Sequence, residues 1–137
     1  MAASQAARKS FSCRAALPKM NIVTLILGTL TALEFFYIMY LETFATASEK
    51  TAKVFGMSRD ELNRSTVNVL FKNQGIYNGL LAVLLLLALF VFASKTAVIC
   101  LLIYIICVAA YGSFTSSPKI ILMQGGIAIL TLISCLF

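Results

Sequence analysis

The chain has 137 residues, of which 61% are hydrophobic and 12% are charged. Soluble domains carry about a quarter charged residues, so this composition excludes an ordinary soluble domain. The net charge of +6 comes from basic residues in the N-terminal segment and between apolar runs, which favours membrane flanks and argues against nucleic acid as a partner. Because the sequence has no His, imidazole chemistry and His metal sites are excluded, and no cofactor is predicted.

The N-terminal segment, residues 1–19, reads MAASQAARKSFSCRAALPK and is small, basic and free of acids. This composition is typical of a targeting extension or of an arm that need not fold, and we expect it to be disordered. Alternatively, translation starts at Met20, and residues 1–19 only reflect the choice of an upstream start codon; this explains the sequence equally well. The fold is therefore predicted for residues 20–137.

Four apolar runs predict four helices that cross a membrane. The first run, residues 20–41, has Glu34 as its single charge, and at about 1.5 Å per residue it can cross a hydrocarbon core of about 30 Å. The other three runs cover residues 74–93, 96–114 and 120–137. We therefore predict an all-α fold, a polytopic four-helix bundle that is a multi-pass protein of the cell membrane.

Orientation is weakly specified by the basic residues that flank these runs. Five lie on the side of the N-terminus and six on the side of the long loop. Lys and Arg bias a loop towards the cytoplasm. Because the two counts are nearly equal, they do not predict an orientation.

The long loop, residues 42–73, contains the start of a further short helix. Ser58 and Glu61 match the capping-box pattern S-x-x-E, which marks a helix N-terminus. The helix that follows is moderately amphipathic, so it either lies on the membrane surface or continues into the second crossing helix. Gly56 is predicted to end the segment before it.

Glu34 is the acid that lies inside an apolar run. A carboxylate that faces lipid at this depth costs at least a few kcal/mol, so Glu34 must face other helices, a partner or water. Tyr37 lies on the same helical face, three residues later. A functional role for Glu34 competes with a structural one, in which the acid only hydrogen-bonds to a neighbouring helix.

Other polar side chains lie in the remaining runs and could join Glu34 in one cluster. Gln74 and Asn78 are one helical turn apart and Tyr77 lies beside them. We predict a substrate-binding site formed by Glu34, Tyr37, Gln74, Tyr77, Asn78, Tyr111 and Gln124. Hydrogen bonding that only holds the helices together explains the same cluster as readily as ligand binding does.

Small residues at four-residue spacing predict two close helix contacts. Gly75 and Gly79 form one such pair in the second run, and Thr24, Gly28 and Ala32 form another face in the first. Such spacing lets a neighbouring helix approach closely. The four cysteines, in contrast, lack the spacing of a metal site, and we expect reduced thiols.

The chain resembles a bacterial family, domain of unknown function 1304, in the segments LEFFYIMYLETF, KVFG, NQGIYNGLLA, YGSFT and ILMQGGIAIL. The resemblance covers nearly all of residues 20–137 and implies small four-helix integral membrane proteins with no established activity. The family pattern has an acid–His pair in the first helix. Here Glu34 matches the acid and Phe35 stands in place of the His, which weakens any family chemistry that needs an imidazole.

Three functions fit these features. In the first, the protein binds a small lipophilic or cationic molecule or transports it in exchange for protons, with Glu34 as the centre. In the second, it is an accessory or structural membrane protein whose polar cluster only assembles the bundle, alone or as a homo-oligomer. An intramembrane enzyme is less favoured, because no nucleophile or metal site accompanies Glu34. In all three the lipid bilayer is a partner.

Overall fold

The computed structural model describes residues 20–115 and 118–137, and within them every regular element is helical. The predicted all-α class is confirmed. The described residues form six α-helices: α1 (Ile22–Met39), α2 (Glu49–Phe55), α3 (Arg59–Asn63), α4 (Ser65–Leu86), α5 (Lys95–Thr115) and α6 (Gly126–Ser134). Residues 1–19, for which we predicted disorder, lie outside the described part of the chain.

Three π-helical turns lengthen these helices, at Tyr40–Phe44, Leu87–Val91 and Ile121–Gly125. With them, the described residues contain three helices long and apolar enough to cross a membrane, Ile22–Phe44, Ser65–Val91 and Lys95–Thr115. The last predicted crossing is a shorter apolar helix, Ile121–Ser134. It combines a five-residue π turn with the nine residues of α6 and reaches about 20 Å.

The second long helix begins earlier than predicted, which shortens the loop. The apolar run predicts a crossing from residue 74, preceded by a short helix that is either separate or continues into it, and α4 starts at Ser65. Because each added residue of a helix gains a backbone hydrogen bond, the helix extends beyond its apolar part into the polar residues before it.

The short helix in the loop does not continue into α4 without a break. Its N-cap is Ser58, whose hydroxyl accepts a hydrogen bond from the Glu61 amide at 3.2 Å, as predicted. It ends at Asn63, because the backbone of Arg64 is extended, with φ −61° and ψ 128°. Gly56 ends α2 in the left-handed conformation, with φ 67°, which also agrees with the prediction.

α1 is the central helix and packs along α4 on one side and α6 on the other. The glycines of α4 make the first contact close: a Cβ added at Gly79 would collide with Met39, and one added at Gly75 would lie 3.0 Å from the Cβ of Glu42. The predicted close approach at the two glycines is confirmed. The buried apolar core lies between these helices and α5 and includes Ala32, Phe35, Leu85, Leu102 and Ala128.

The contact between α1 and α6 includes hydroxyl groups of Thr24, which belongs to the predicted small-residue face, and of Thr31. The Thr24 and Ser134 hydroxyl oxygens lie 2.9 Å apart, and those of Thr31 and Thr131 lie 3.2 Å apart. The side-chain amide of Asn21 also donates to the Ser134 carbonyl at 2.7 Å. The C-terminal end of α6 therefore lies beside the first turn of α1.

Candidate functional site

Glu34 lines a cavity of about 300 Å³ between α1, α2 and the π turn that leads into α6. We call it the Glu34 cavity. The Oε2 atom of Glu34 is buried, and within the described residues it has no hydrogen-bond partner. A buried polar atom without a partner loses its hydration and gains nothing in return, at a cost of about 1–3 kcal/mol. The carboxyl of this cavity-lining residue therefore has hydrogen-bonding capacity that the described residues leave unused.

The walls of the Glu34 cavity are mostly apolar. The segment around α2 contributes Val54, Phe55 and Met57, and α4 contributes Phe71. The rings of Phe55 and Phe71 pack edge to face, with centroids 5.2 Å apart and an interplanar angle of 81°. Because such aromatic pairs are stabilising, this contact holds α2 against α4 as a cover over the cavity.

Three further polar side chains line the Glu34 cavity: Tyr37, Gln124 and Lys119. Tyr37 and Gln124 were predicted to lie near Glu34, and in the structure both line the same cavity as Glu34. Lys119 was not predicted as a site residue, and its side chain is exposed. The polar groups of the cavity are thus one carboxyl, one phenol, one carboxamide and an ammonium group on an exposed side chain.

Tyr37 also makes a contact outside the cavity. The Lys50 Nζ atom lies 5.1 Å from the centroid of its ring. The neighbouring Tyr37 side chain raises the pKa of the exposed Lys50. A cation over an aromatic face is attracted to it, so the pair links α2 to α1 as well.

Asn78 pairs with a different acid from the one we considered. Its side-chain amide donates to Oε2 of Glu42 at 2.7 Å, and Glu42 is only 4% exposed. The interaction joins α4 to the π turn after α1 and is charge-assisted if the carboxyl is ionised. Asn78 therefore serves the contact between two helices, and Glu34 does not share it.

A second and larger cavity, of about 620 Å³, lies between α4 and α5. We call it the α4–α5 groove. Gln74, Tyr77 and Asn78 line it, together with Gln124, which also lines the Glu34 cavity. Tyr111 lies on α5 outside the lining of both cavities and is 72% exposed. The predicted site residues other than Tyr111 are thus divided between two cavities that share Gln124.

The sequence analysis did not identify Glu42 as a site residue, nor the apolar residues Val54, Phe55 and Met57 that cover the Glu34 cavity. Glu42 is two helical turns beyond Glu34 on the same face, so its position in the sequence was a usable signal. The cover comes from the KVFGM segment of the loop, whose apolar residues indicate burial. For metal ions, the described residues contain no group of three or more candidate ligands.

Comparison with known proteins places the chain in a family. The profile of a family described as "Protein of unknown function (DUF1304)" matches residues 29–136. The chain is also 60% identical over 119 residues to "Uncharacterized protein YpaA" of Lactococcus lactis subsp. lactis (strain IL1403), which covers 86% of this chain and 100% of that protein. No solved structure matches this chain. The chain belongs to the DUF1304 family, as the resemblance of its motifs predicted.

Proposed function

We propose that this protein is a multi-pass integral membrane protein whose helical bundle crosses the cell membrane four times. Support comes from the three helices of sufficient length and hydropathy, Ile22–Phe44, Ser65–Val91 and Lys95–Thr115. Their surfaces carry many exposed large apolar side chains, among them Ile26, Leu33, Leu84, Phe90 and Ile103. Such extended apolar surface is unfavourable in water and suits contact with lipid.

The fourth crossing is supported by the contacts of α6. The helix is short, but it begins near Glu34 at the π turn that holds Gln124 and ends with Ser134 bonded to Asn21, just before α1. The segment therefore returns to the level at which α1 begins. A helix shorter than the hydrocarbon core is tolerated by local thinning of the bilayer.

Reporter fusions at Ser48, Lys95 and Phe137 test this topology. Four crossings require Lys95 and Phe137 on one side of the membrane and Ser48 on the other. Signals from Lys95 and Phe137 on opposite sides would mean that α6 does not cross, and equal signals from Ser48 and Lys95 would remove α4 from the set of crossing helices.

We further propose that the Glu34 cavity binds a small lipophilic molecule that carries a protonated amine. The observation that carries this proposal is the carboxyl of Glu34, a residue that lines a mostly apolar cavity and whose buried Oε2 atom lacks a hydrogen-bond partner among the described residues. An ammonium group would supply both a hydrogen bond and an opposite charge at that atom. The apolar walls would hold the rest of the molecule.

A transport role would use the same group. A carboxyl that can hold either a proton or an ammonium group at one place is what coupling between protons and a cation requires. The accessory or structural role is supported by Asn78, whose hydrogen bond to Glu42 links two helices and leaves its amide engaged within the protein.

Binding of benzylamine to the full chain in nanodiscs tests the proposal. Its single ring suits a cavity of about 300 Å³, and benzyl alcohol serves as the neutral analogue. A hydrogen bond to a charged group is worth about 1.5–3 kcal/mol, so we expect Glu34→Gln to weaken benzylamine binding by about 10-fold to 100-fold. Binding is measured by isothermal titration calorimetry against empty nanodiscs.

The matched control is Glu61→Gln, which removes the same charge from an exposed position in α3. This variant should bind benzylamine like the parent, and benzyl alcohol should bind the parent and Glu34→Gln alike. Equal benzylamine affinity in the parent and in Glu34→Gln would refute the role of Glu34. Heats no larger than those of empty nanodiscs would refute the site itself.

A further inference from the structure

Polar and apolar residues occupy opposite ends of the α4–α5 groove. Gln74 and Tyr77 are exposed at the end nearest residues 45–64. The other end is lined by Leu84 on α4 and Leu101 on α5. The groove therefore changes from hydrogen-bonding groups to hydrocarbon along its length.

The length of this gradient matches one leaflet of a bilayer. Gln74 and Leu84 are ten residues apart on one continuous helix, which is about 15 Å. Half of a hydrocarbon core of about 30 Å is the same distance. Leu84 also lies at the middle of the apolar run of residues 74–93, so the apolar end of the groove would reach the bilayer centre.

Hydrogen bonds to the lining of the groove determine which kind of lipid would bind there in preference to the surrounding bilayer. Lipid chains are as apolar as leucine, so a chain alone gains no hydrophobic free energy by leaving the bilayer for the groove. By this measure the exposed Gln74 carboxamide and Tyr77 hydroxyl lie at or just inside the boundary of the hydrocarbon core, at the level where lipids carry polar groups. An amphiphile with hydrogen-bonding groups next to its chain supplies them.

The lining also indicates which part of such an amphiphile lies there. No charged residue is among the described residues that line the groove, so it offers no counter-ion for a phosphate. Carboxamide and phenol groups instead match the ester carbonyls and hydroxyls of a glycerol backbone. Phosphate would lie further out, near the exposed Lys72.

We propose that the α4–α5 groove is a binding site for a glycerolipid of the leaflet that faces residues 45–64. Its glycerol and ester groups bond to Gln74 and Tyr77, and one acyl chain lies between Leu84 and Leu101. This site differs from the Glu34 cavity in all its lining residues except Gln124, and it rests on the membrane insertion proposed above.

Native mass spectrometry of the full chain tests the site. The protein is released from nanodiscs of phosphatidylglycerol and phosphatidylcholine in equal parts, with palmitic acid added, and the retained mass is identified. Leu101→Trp places a ring in the apolar end, and we expect it to lower the fraction with a bound glycerolipid by about tenfold. Its control is Ile103→Trp, at a position 47% exposed outside the groove, which should retain the lipid like the parent.

A second pair of variants tests the polar end and does not depend on the folding of Leu101→Trp. Gln74→Leu changes an exposed residue and should lower glycerolipid retention by at least about threefold, because one bonding group is lost. Asn73→Leu, its exposed neighbour outside the groove, should not.

Three results would overturn the proposal. They are equal retention in all variants, retention of palmitic acid in place of a glycerolipid, and a dimer that Leu101→Trp converts to monomer, which would make a second copy of the chain the occupant. Extraction of membranes with alkaline carbonate distinguishes a failure of the groove proposal from a failure of the proposed membrane insertion. Release of the parent protein from membranes would refute insertion, and a protein that stays in the pellet without a lipid adduct would refute the groove alone.

Discussion

Substitution of Gly75 by alanine tests the close contact between α4 and α1. A Cβ at this position would lie 3.0 Å from the Cβ of Glu42 and 3.1 Å from the backbone nitrogen of Thr43, and it would collide with the Thr43 hydroxyl. Rotation of a side chain cannot relieve the contacts with the Glu42 Cβ and the backbone atom. The two helices would therefore have to move apart.

The expected cost follows from two opposing effects. Overpacking of a tight contact costs about 1–3 kcal/mol, and the better helix propensity of alanine returns up to about 1 kcal/mol. We expect Gly75→Ala to lower the free energy of unfolding by about 1–2 kcal/mol, since its steric contact includes backbone.

Two other glycines provide matched controls for this substitution. At Gly79 the added Cβ would meet only the flexible side chain of Met39, and at Gly126 it would meet nothing within 4 Å. Gly79→Ala should therefore cost less than Gly75→Ala, and Gly126→Ala should be neutral or stabilising by up to about 1 kcal/mol. Unfolding is followed by circular dichroism during titration with SDS in mixed micelles. A Gly75→Ala protein as stable as Gly126→Ala would refute the close helix contact.

Two further predictions concern the helix contacts and the loop. Glu42→Leu and Asn78→Leu each remove one partner of a buried hydrogen bond, so each should destabilise by about 1–3 kcal/mol. The double variant should show a coupling energy of about 0.6–1.7 kcal/mol in the same SDS titration, and a coupling of zero would contradict the bond. At Gly56, whose φ is 67°, alanine should cost about 1 kcal/mol, while Gly56→Asn, which tolerates this conformation, should cost less. Faster limited proteolysis between Phe55 and Ser58 in the alanine variant than in the asparagine variant would show this.

Much of the fold follows from local sequence patterns. The Ser58 cap, the Gly56 helix end and the Gly75–Gly79 contact each depend on a few neighbouring residues, and the structure contains all three. The start of α4 was misplaced because hydropathy changes near Gln74, whereas the helix extends outward through polar residues to Ser65. Hydropathy reports the surroundings of a segment, and backbone hydrogen bonding decides where its helix begins.

The candidate site could be predicted only in part. Glu34, Tyr37 and Gln124 do line one cavity, because polar side chains in apolar helices face inwards. The sequence offers two acids as partners for Asn78, Glu34 in α1 and Glu42 in the π turn that follows, and only the packing of the helices shows that Asn78 bonds to Glu42. The spacing of Gly75 and Gly79 predicts a close contact, but it does not specify which residues of the partner helix the two glycines meet.

The most direct test of the Glu34 cavity uses the methionine methyl groups as probes in NMR. Met57 and Met123 line the cavity, whereas Met39 packs on Gly79 outside it. With ¹³C-methyl methionine in the full chain, benzylamine should shift the Met57 and Met123 signals and give nuclear Overhauser effects from its ring to both. The Met39 signal should not move, and Glu34→Gln should raise the benzylamine concentration needed for the same shifts by about 10-fold to 100-fold. Benzylamine that leaves Met57 and Met123 unshifted, or that shifts them equally in Glu34→Gln, would contradict the account.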